Sequence, residues 1–435
     1  MKKSNEKGVT LIMLIIIIIV VFILAGTTIN GIIKPNSMLN TAEDVQNKEK
    51  ENANKQTNET TNLINNATEN MKDKVKDLSG ANSPKLTEDM IPVKWVEGSG
   101  WVVTDETDEE WYNYKEKKWA NIMMRKNTVL EDTNIDVKTA NLSQMKNKKI
   151  KKEGDMFVWI PRFAYKIASE HHTGGTNIQG KITIQFLEDL TEKPFPEGIS
   201  KFNNENGQNN WNIHPAFTYA EEVSGIWFSK FEGSNNNGNI EIRPKVAMNW
   251  NNLGIDEMYQ KSSSYDTKSN SHMMKNVEWG AVAYLSQSIY GSCNVEKNDT
   301  QTTGGTNYIT NVNQSTTGNV YGVYDMNGGT NEYVAAYLDN GNTRFTAESK
   351  KNVDVYKKTY DLSIEKYGDS IFETSSKGID SFAWNQGKSI FVDELNPYFL
   401  RGGNSAVGNN SGIFSFEKAN GVKSNYTFRP TLIVH

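Results

Sequence analysis

The sequence predicts an α+β protein in which an N-terminal membrane helix and a polar stalk carry a large, loop-rich folded part. Three observations predict it. Residues Val9–Leu24 read VTLIMLIIIIIVVFIL with Thr10 the only polar residue, and through Ala25-Gly26 the stretch reaches the length that spans a bilayer as a helix. From residue 91 to the C-terminus, short apolar segments recur between clusters of Gly, Asn and Pro, as strands do. Between them Val277, Ala281, Tyr284 and Leu285 fall at helical spacing and predict a helix over 273–287.

Residues 1–33 form the membrane segment. Lys2, Lys3 and Lys7 precede the apolar run and orient it with the N-terminus inside and the remainder outside. No Ala-x-Ala cleavage site follows, so the run reads as a retained single-pass anchor rather than a removed signal peptide. Residues 34–89 are polar. Ile64, Ala67, Met71, Val75 and Leu78 recur at helical spacing, while 46–61 holds almost no apolar residue. Two readings stand here: a helical stalk, roughly 75 Å long at about 1.5 Å per residue, or a disordered linker.

Residues 90–154 are an aromatic-rich β segment. Trp95, Trp101, Trp111 and Trp119, with Tyr112 and Tyr114, read as core or as a carbohydrate-stacking platform, and Val93–Val96 reads as a strand. Residues 155–435 form the last domain. Asp155–Phe163 is a buried strand stopped by Pro161, and Lys181–Leu187 alternates as a half-buried strand. Residues 343–388 are polar and insertion-like, and Phe428–Val434 closes the chain as a terminal strand. Within Asn319–Tyr337, Val320, Tyr321, Val323 and Tyr324 look strand-like before a turn at Asp325–Gly329, and Tyr333–Tyr337 resumes as an apolar segment. Asp325, Asn327 and Glu332 place three oxygen-bearing side chains around that turn.

The charge balance excludes some classes. A net charge of -5 over 435 residues leaves no general electrostatic footprint for nucleic acid. One cysteine, Cys293, excludes an intrachain disulfide framework and a cysteine-based zinc site. The five histidines are too scattered for a zinc motif, and no nucleophile elbow, phosphate loop or dinucleotide fingerprint occurs.

Two family resemblances sharpen this. Lys7-Gly8-Val9-Thr10-Leu11-Ile12 resembles the class III signal of type IV pilin-like proteins. That resemblance implies cutting between Gly8 and Val9 by a prepilin peptidase and a retained helix able to meet pilin subunits. Met13 stands where major pilins carry Glu, which favours a minor or tip-located subunit, or a plain anchor. In the last domain, Glu278-Trp279, the Gly322–Gly328 turn with Glu332, Arg401-Gly402-Gly403 and Phe428-Arg429-Pro430 follow the order of the formylglycine-generating (sulfatase-modifying) family. This second resemblance, over 155–435, implies an irregular C-type lectin-like fold. Chains joining such an N-terminus to this domain resemble surface proteins of Firmicutes.

Fold does not carry activity. The oxidase members use cysteines near the C-terminal Phe-Arg to bind copper, and 404–426 contains none, so the chain is not expected to be an enzyme. In family members the turn can hold a calcium ion; here Asn327 and Glu332 keep oxygen ligands of the type calcium prefers, while Gly329 stands in place of an Asn. The competing reading is that Asp325 and Glu332 satisfy turn amides. The 404–427 segment mixes Gly, Asn and Ser with isolated aromatics, a composition suited to adaptable recognition. It resembles the ligand-displaying segment of lectin-fold variable proteins served by diversity-generating retroelements. Asn404, Ser405, Asn409, Asn410, Lys418, Asn420, Lys423, Asn425 and Tyr426 are the expected contacts to an extracellular protein or glycan, with Ile413, Phe414 and Phe416 in the core. The expected function is an adhesin-like surface protein of the cell membrane or a pilus; the alternative is a structural minor pilin or pseudopilin.

Overall fold

The computed structural model describes, apart from Lys55, residues 79–167, 182–187, 199–200, 211–218, 222–244, 250, 252–293, 308–341, 343–345, 352–357, 368–375, 380–384, 387–404, 411–422 and 425–435. The chain divides into two units, Met1–Asn70 and Met71–His435. The expected membrane segment with its expected Gly8-Val9 cleavage point, and nearly all of the expected stalk or linker, lie outside the described residues. Among the described residues no helix is long and apolar enough to cross a membrane.

The second unit is a mixture of strands and helices. Strands β1 (Met90–Val96) and β2 (Gly100–Val103) form a hairpin, its turn made by Gly98 at φ 73° and Gly100 at φ 80°, a conformation glycine adopts without strain. β3 (Asn121–Met124) pairs with β1. The short β4 (Val129–Leu130) and β5 (Ile150–Lys152) pair around α1 (Leu142–Met145), whose start is closed by a reciprocal Asn141–Gln144 capping box. β6 (Met156–Pro161) is buried at all six positions and pairs with β3. Residues 90–154 are therefore built into the same sheet as the residues after 155. Their tryptophans serve largely as core: Trp101, Trp111 and Trp119 are at most 2% exposed.

Pro161 ends β6 as expected, and the chain turns at Arg162 into β7 (Phe163–Ile167). β8 (Ile182–Phe186) alternates as expected, with Thr183 outward and Ile182, Ile184 and Phe186 inward. Together with β9 (Ile199–Ser200) and β10 (Trp211–Ile213) these make a four-stranded sheet in the order β8-β7-β10-β9. β11 (Gly225–Ser229) returns to lie beside β6. A small hairpin, β12 (Ser234–Asn236) and β13 (Asn239–Glu241), precedes α2 (Ile255–Ser263).

The expected 273–287 helix begins later than its periodicity suggests. His272-Met273 is a strand, β14, paired to the C-terminal strand, and α3 runs Asn276–Ser286. All eleven residues of α3 are buried, so it has no polar face. Its first turn is capped from outside by Asp354, whose Oδ2 accepts from the Val277 N–H at 2.9 Å, and from within by Glu278, whose Oε2 accepts from the Lys275 N–H at 2.9 Å.

β15 (Glu332–Leu338) is buried throughout and heads a second large sheet with β16 (Asp354–Tyr356), β17 (Asp380–Ala383), β18 (Gly387–Ile390), β19 (Tyr398–Gly402) and β20 (Gly412–Ala419). Its order is β16-β15-β19-β20-β18-β17. The polar 343–388 stretch thus supplies β16 and β17 and enters β18; it is more than an insertion. β21 (Pro430–Leu432) is the expected terminal strand and completes a seven-stranded sheet, β14-β21-β11-β6-β3-β1-β2. Val320–Tyr324, in contrast, is not a strand.

Helix α3 meets its neighbours at backbone contact. A Cβ added to Gly280 would lie 1.8 Å from the Gly368 carbonyl oxygen. Gly280→Ala is expected to lower stability by about 1–3 kcal/mol through this clash, although Ala is the better helix former by about 1 kcal/mol. Urea unfolding checks this, and an unchanged or raised midpoint would refute the close packing.

Candidate functional site

The Asn319–Tyr337 stretch is held from the first sheet by side chains. Lys230, just past β11, donates from Nζ to Val320 O at 2.6 Å and Gly322 O at 2.9 Å, and Asn121 on β3 donates from Nδ2 to Tyr321 O at 2.8 Å. Three successive carbonyls that a strand would place in a ladder are taken by two buried side chains. This is why an apolar run with strand-like composition stays irregular.

The turn that follows carries Asp325 at φ 59°, Gly328 at φ 90° and Gly329 at φ 66°. Gly329 has a second reason to lack a side chain, since a Cβ there would lie 2.4 Å from Glu232 Oε1. That oxygen accepts from the Thr330 N–H at 2.8 Å. Glu332 pairs with Arg429: Nε is 2.8 Å from both carboxylate oxygens and Nη2 is 2.6 Å from Oε1. Arg429 is 0% and Glu332 1% exposed. Burial opposes the guanidinium charge, but the Glu332 carboxylate outweighs it and holds Arg429 protonated. Burial and the neighbouring Glu332 and Asp325 push the Glu232 carboxyl well above the usual carboxylate range.

These contacts bear on calcium. The Glu332 carboxylate is occupied on both oxygens by Arg429, so a cation at Asn327 and Glu332 would have to displace a buried guanidinium. The residues present do not fit a calcium site. Among the described residues no group of three or more His, Cys, Asp or Glu side chains is placed to hold a metal.

The other motif residues converge beside the turn. Glu278 accepts from His272 Nε2 at 2.7 Å and lies 3.2 Å from Lys275 Nζ, all three buried. Burial would raise its pKa, but the charges of His272 and Lys275 hold it at about 2. Trp279 Nε1 donates to Ile413 O at 2.7 Å, and the Arg401 guanidinium sits 5.4 Å from the Trp279 ring. The Gly328 N–H donates to Gly402 O at 3.1 Å. Glu278-Trp279, the turn, Arg401-Gly402-Gly403 and Phe428-Arg429-Pro430 therefore form one contiguous polar interior. A further buried acid, Glu373, accepts from Tyr284 Oη at 2.6 Å, from Tyr165 Oη at 3.0 Å and from the Gly368 N–H at 2.6 Å. Burial pushes it up to about 7 against these donors.

The expected ligand contacts separate. Ser405, Asn409, Asn410 and Lys423 lie outside the described residues. Asn404 is half-buried just past the bulge at Arg401/Gly402, near the start of β20. Asn425 is exposed, and Tyr426 packs edge-on against Tyr333 at 5.6 Å. Lys418 and Asn420 sit at the far end of β20, where Lys418 pairs with Asp393 at 2.6 Å. Ile413, Phe414 and Phe416 are core, at most 6% exposed.

Around Lys418 and Asn420 three turns join into one surface. Asn340 Nδ2 donates to Glu394 O at 2.7 Å, Arg344 Nε to Asn420 O at 3.2 Å, and the Arg344 N–H to Tyr398 Oη at 2.6 Å. Gly421, at φ 71°, packs so tightly on Tyr398 that a Cβ would lie 2.4 Å from the ring. This surface carries Leu395 at 83% exposed and Val422 at 41%. Leu395 was not among the residues expected from sequence; its signal was a lone apolar side chain between Glu394 and Asn396 in a turn.

No protein-family model matches the chain, and no curated protein matches it.

Glu373 gives a pH test of the interior. Its pKa is raised on folding from the ordinary 4.5 to about 7, so the folded chain binds the proton more tightly. The associated stability is fully present below about pH 4.5 and is lost as pH rises through about 7. Wild type is expected to lose stability relative to Glu373→Gln between about pH 5 and about pH 8, by no more than about 1.4 kcal/mol per pKa unit of the shift. Urea midpoints across that range check it, and a pH-independent difference would contradict it.

Proposed function

We propose that the chain is a membrane-anchored or pilus-associated surface protein that presents a non-catalytic binding surface for an extracellular protein or glycan on a C-type lectin-like unit. The carrying observation is the joining of the apolar 9–24 run to a unit whose motif side chains are engaged with one another in the interior. That arrangement supports a scaffolding role for the motifs and leaves recognition to the exterior. The surface around Leu395, Asn420 and Val422 is the favoured contact area, because its turns are tied together before any ligand arrives.

A second reading, a structural minor pilin or pseudopilin, is favoured by Lys7-Gly8-Val9 before the apolar run. Antibody labelling of surface preparations in the electron microscope separates the two. Regular labelling along filaments supports the structural subunit, and labelling confined to the cell surface or filament tips supports presentation.

The binding surface is tested by screening the chain against glycan and host-protein arrays. For a ligand so found, Leu395→Asp with Val422→Asp is expected to weaken binding at least tenfold, about 1.4 kcal/mol, without shifting the thermal midpoint. Unchanged affinity would remove this surface from the proposal.

A further inference from the structure

Residues 146–152 read KNKKIKK, five lysines in seven residues, and no carboxylate occurs between 141 and 152. In a chain whose net charge is -5 this is a local reversal of sign. Two of the five lysines are neutralised by acids from other segments: Lys146 pairs with Asp105 at 2.5 Å and Lys148 with Asp132 at 2.8 Å. Lys149, Lys151 and Lys152 are exposed, and among the described residues no ion pair engages them. Glu131, whose N–H donates to Lys149 O at 3.0 Å, is exposed at the rim and closes no salt bridge with them.

The backbone that carries these lysines is fastened on both sides. The Asn147 N–H donates to Val103 O at 2.8 Å and the Val103 N–H to Lys148 O at 2.9 Å, so the segment is tied to β2. Lys149 then meets Val102 in a single bridge, and 150–152 continue as β5 beside β4. The register, Val129↔Lys152 and Leu130↔Ile150, places a bulge at Lys151. A bulge interrupts the alternation that sends neighbouring side chains to opposite faces. Three ammonium groups are thus carried within four residues of a fixed backbone, and a ligand that covers them has only their side chains to order.

We propose that Lys149, Lys151 and Lys152 form a docking strip for an acidic polysaccharide, whose carboxylate or sulfate groups lie along the three ammonium groups. This deepens the glycan half of the proposed function and rests on it for the extracellular placement. Lysine is a compact charge on a flexible stem, suited to a run of anions that presents no fixed fork geometry. A nucleic acid is poorly served here, because 141–152 contains no arginine for bidentate contacts and no aromatic ring for base stacking. A bilayer surface is met by an apolar face beside the charges, and within the described residues 79–167 Val129, at 42% exposed, is the only exposed large apolar side chain. The acidic remainder of the chain repels a polyanion and steers it toward this strip.

The test titrates the full chain, held in a non-ionic detergent, with polygalacturonate, dextran sulfate and neutral dextran. The two acidic polymers are expected to bind and neutral dextran is not, with affinity falling about tenfold or more between about 50 mM and about 300 mM salt. Lys149→Gln with Lys151→Gln and Lys152→Gln is expected to weaken binding about tenfold or more and to leave the thermal midpoint unchanged. Lys85→Gln with Lys115→Gln, two exposed lysines elsewhere, is expected to keep the wild-type affinity. Equal losses in the two variants would reduce the effect to net charge and overturn the strip. Absence of binding to both acidic polymers overturns it too, as does tighter binding to single-stranded DNA or to phosphatidylglycerol vesicles than to either polymer. A wrong extracellular placement would show in the antibody labelling and not in this titration, so the two failures are distinguishable.

Discussion

The buried pair Arg429–Glu332 joins the two large sheets. Arg429 immediately precedes β21 in the seven-stranded sheet, and Glu332 opens β15 in the six-stranded one. Backbone bonds run beside the pair, from the Tyr333 N–H to Thr427 O at 2.9 Å and from the Thr427 N–H to Asn331 O at 3.0 Å. A buried ion pair adds little net stability over an apolar replacement, but removing one partner strands the other charge at a cost of several kcal/mol. Its value here is registry. Glu332 has its carboxylate satisfied only when the C-terminal strand arrives with Arg429 in place, and the Thr427–Asn331 contact follows from that alignment.

The same logic recurs wherever the chain is irregular. Segments outside a ladder leave backbone groups that must be satisfied in the interior. Lys230 and Asn121 serve the carbonyls of 320–322, Arg401 reaches Ser370 O at 3.2 Å, and Asp354 meets the first turn of α3. Buried charged and amide side chains here replace the strand neighbours that a loop-rich fold lacks. This accounts for polar motif residues that are at most 2% exposed at Glu278, Glu332, Arg401 and Arg429. Their spacing in sequence marks a scaffold, and chemistry at a surface has to be sought elsewhere.

Hydropathy made part of this visible. β6, β15 and β21 are apolar runs buried on both faces, and β8 alternates, so each was legible from residue type alone. The elements that were not legible depend on polar partners distant in sequence. Val320–Tyr324 has a strand's composition, but Lys230, 90 residues away from Val320, holds its carbonyl. A lysine inside the apolar run Ile226–Phe231 was the available signal. Residues 343–388 read as an insertion because Asp354, Asp369 and Glu373 are polar, and each is at most 4% exposed. Sequence adjacency also misled at the site. The bulge between Arg401 and Gly402 places the register at Gly402↔Gly412 and Tyr398↔Ala419, so residues grouped in 404–426 fall at opposite ends of β20.

That separation divides the described members of the expected contact set between the two ends of β20. Near the start of β20, Tyr426 is committed to Tyr333; farther along the strand, Asn331 Nδ2 donates to Glu417 Oε1 at 3.1 Å while Lys388 pairs with the same carboxylate. At the other end the cross-ties are made by the Glu394 and Asn420 carbonyls, which leaves Leu395 and Val422 outward between polar neighbours. An apolar side chain held in the open by a rigid turn gives up little conformational freedom when it is covered, and a polar rim around it supplies direction. The distal end of β20 therefore combines the two properties that a contact surface needs.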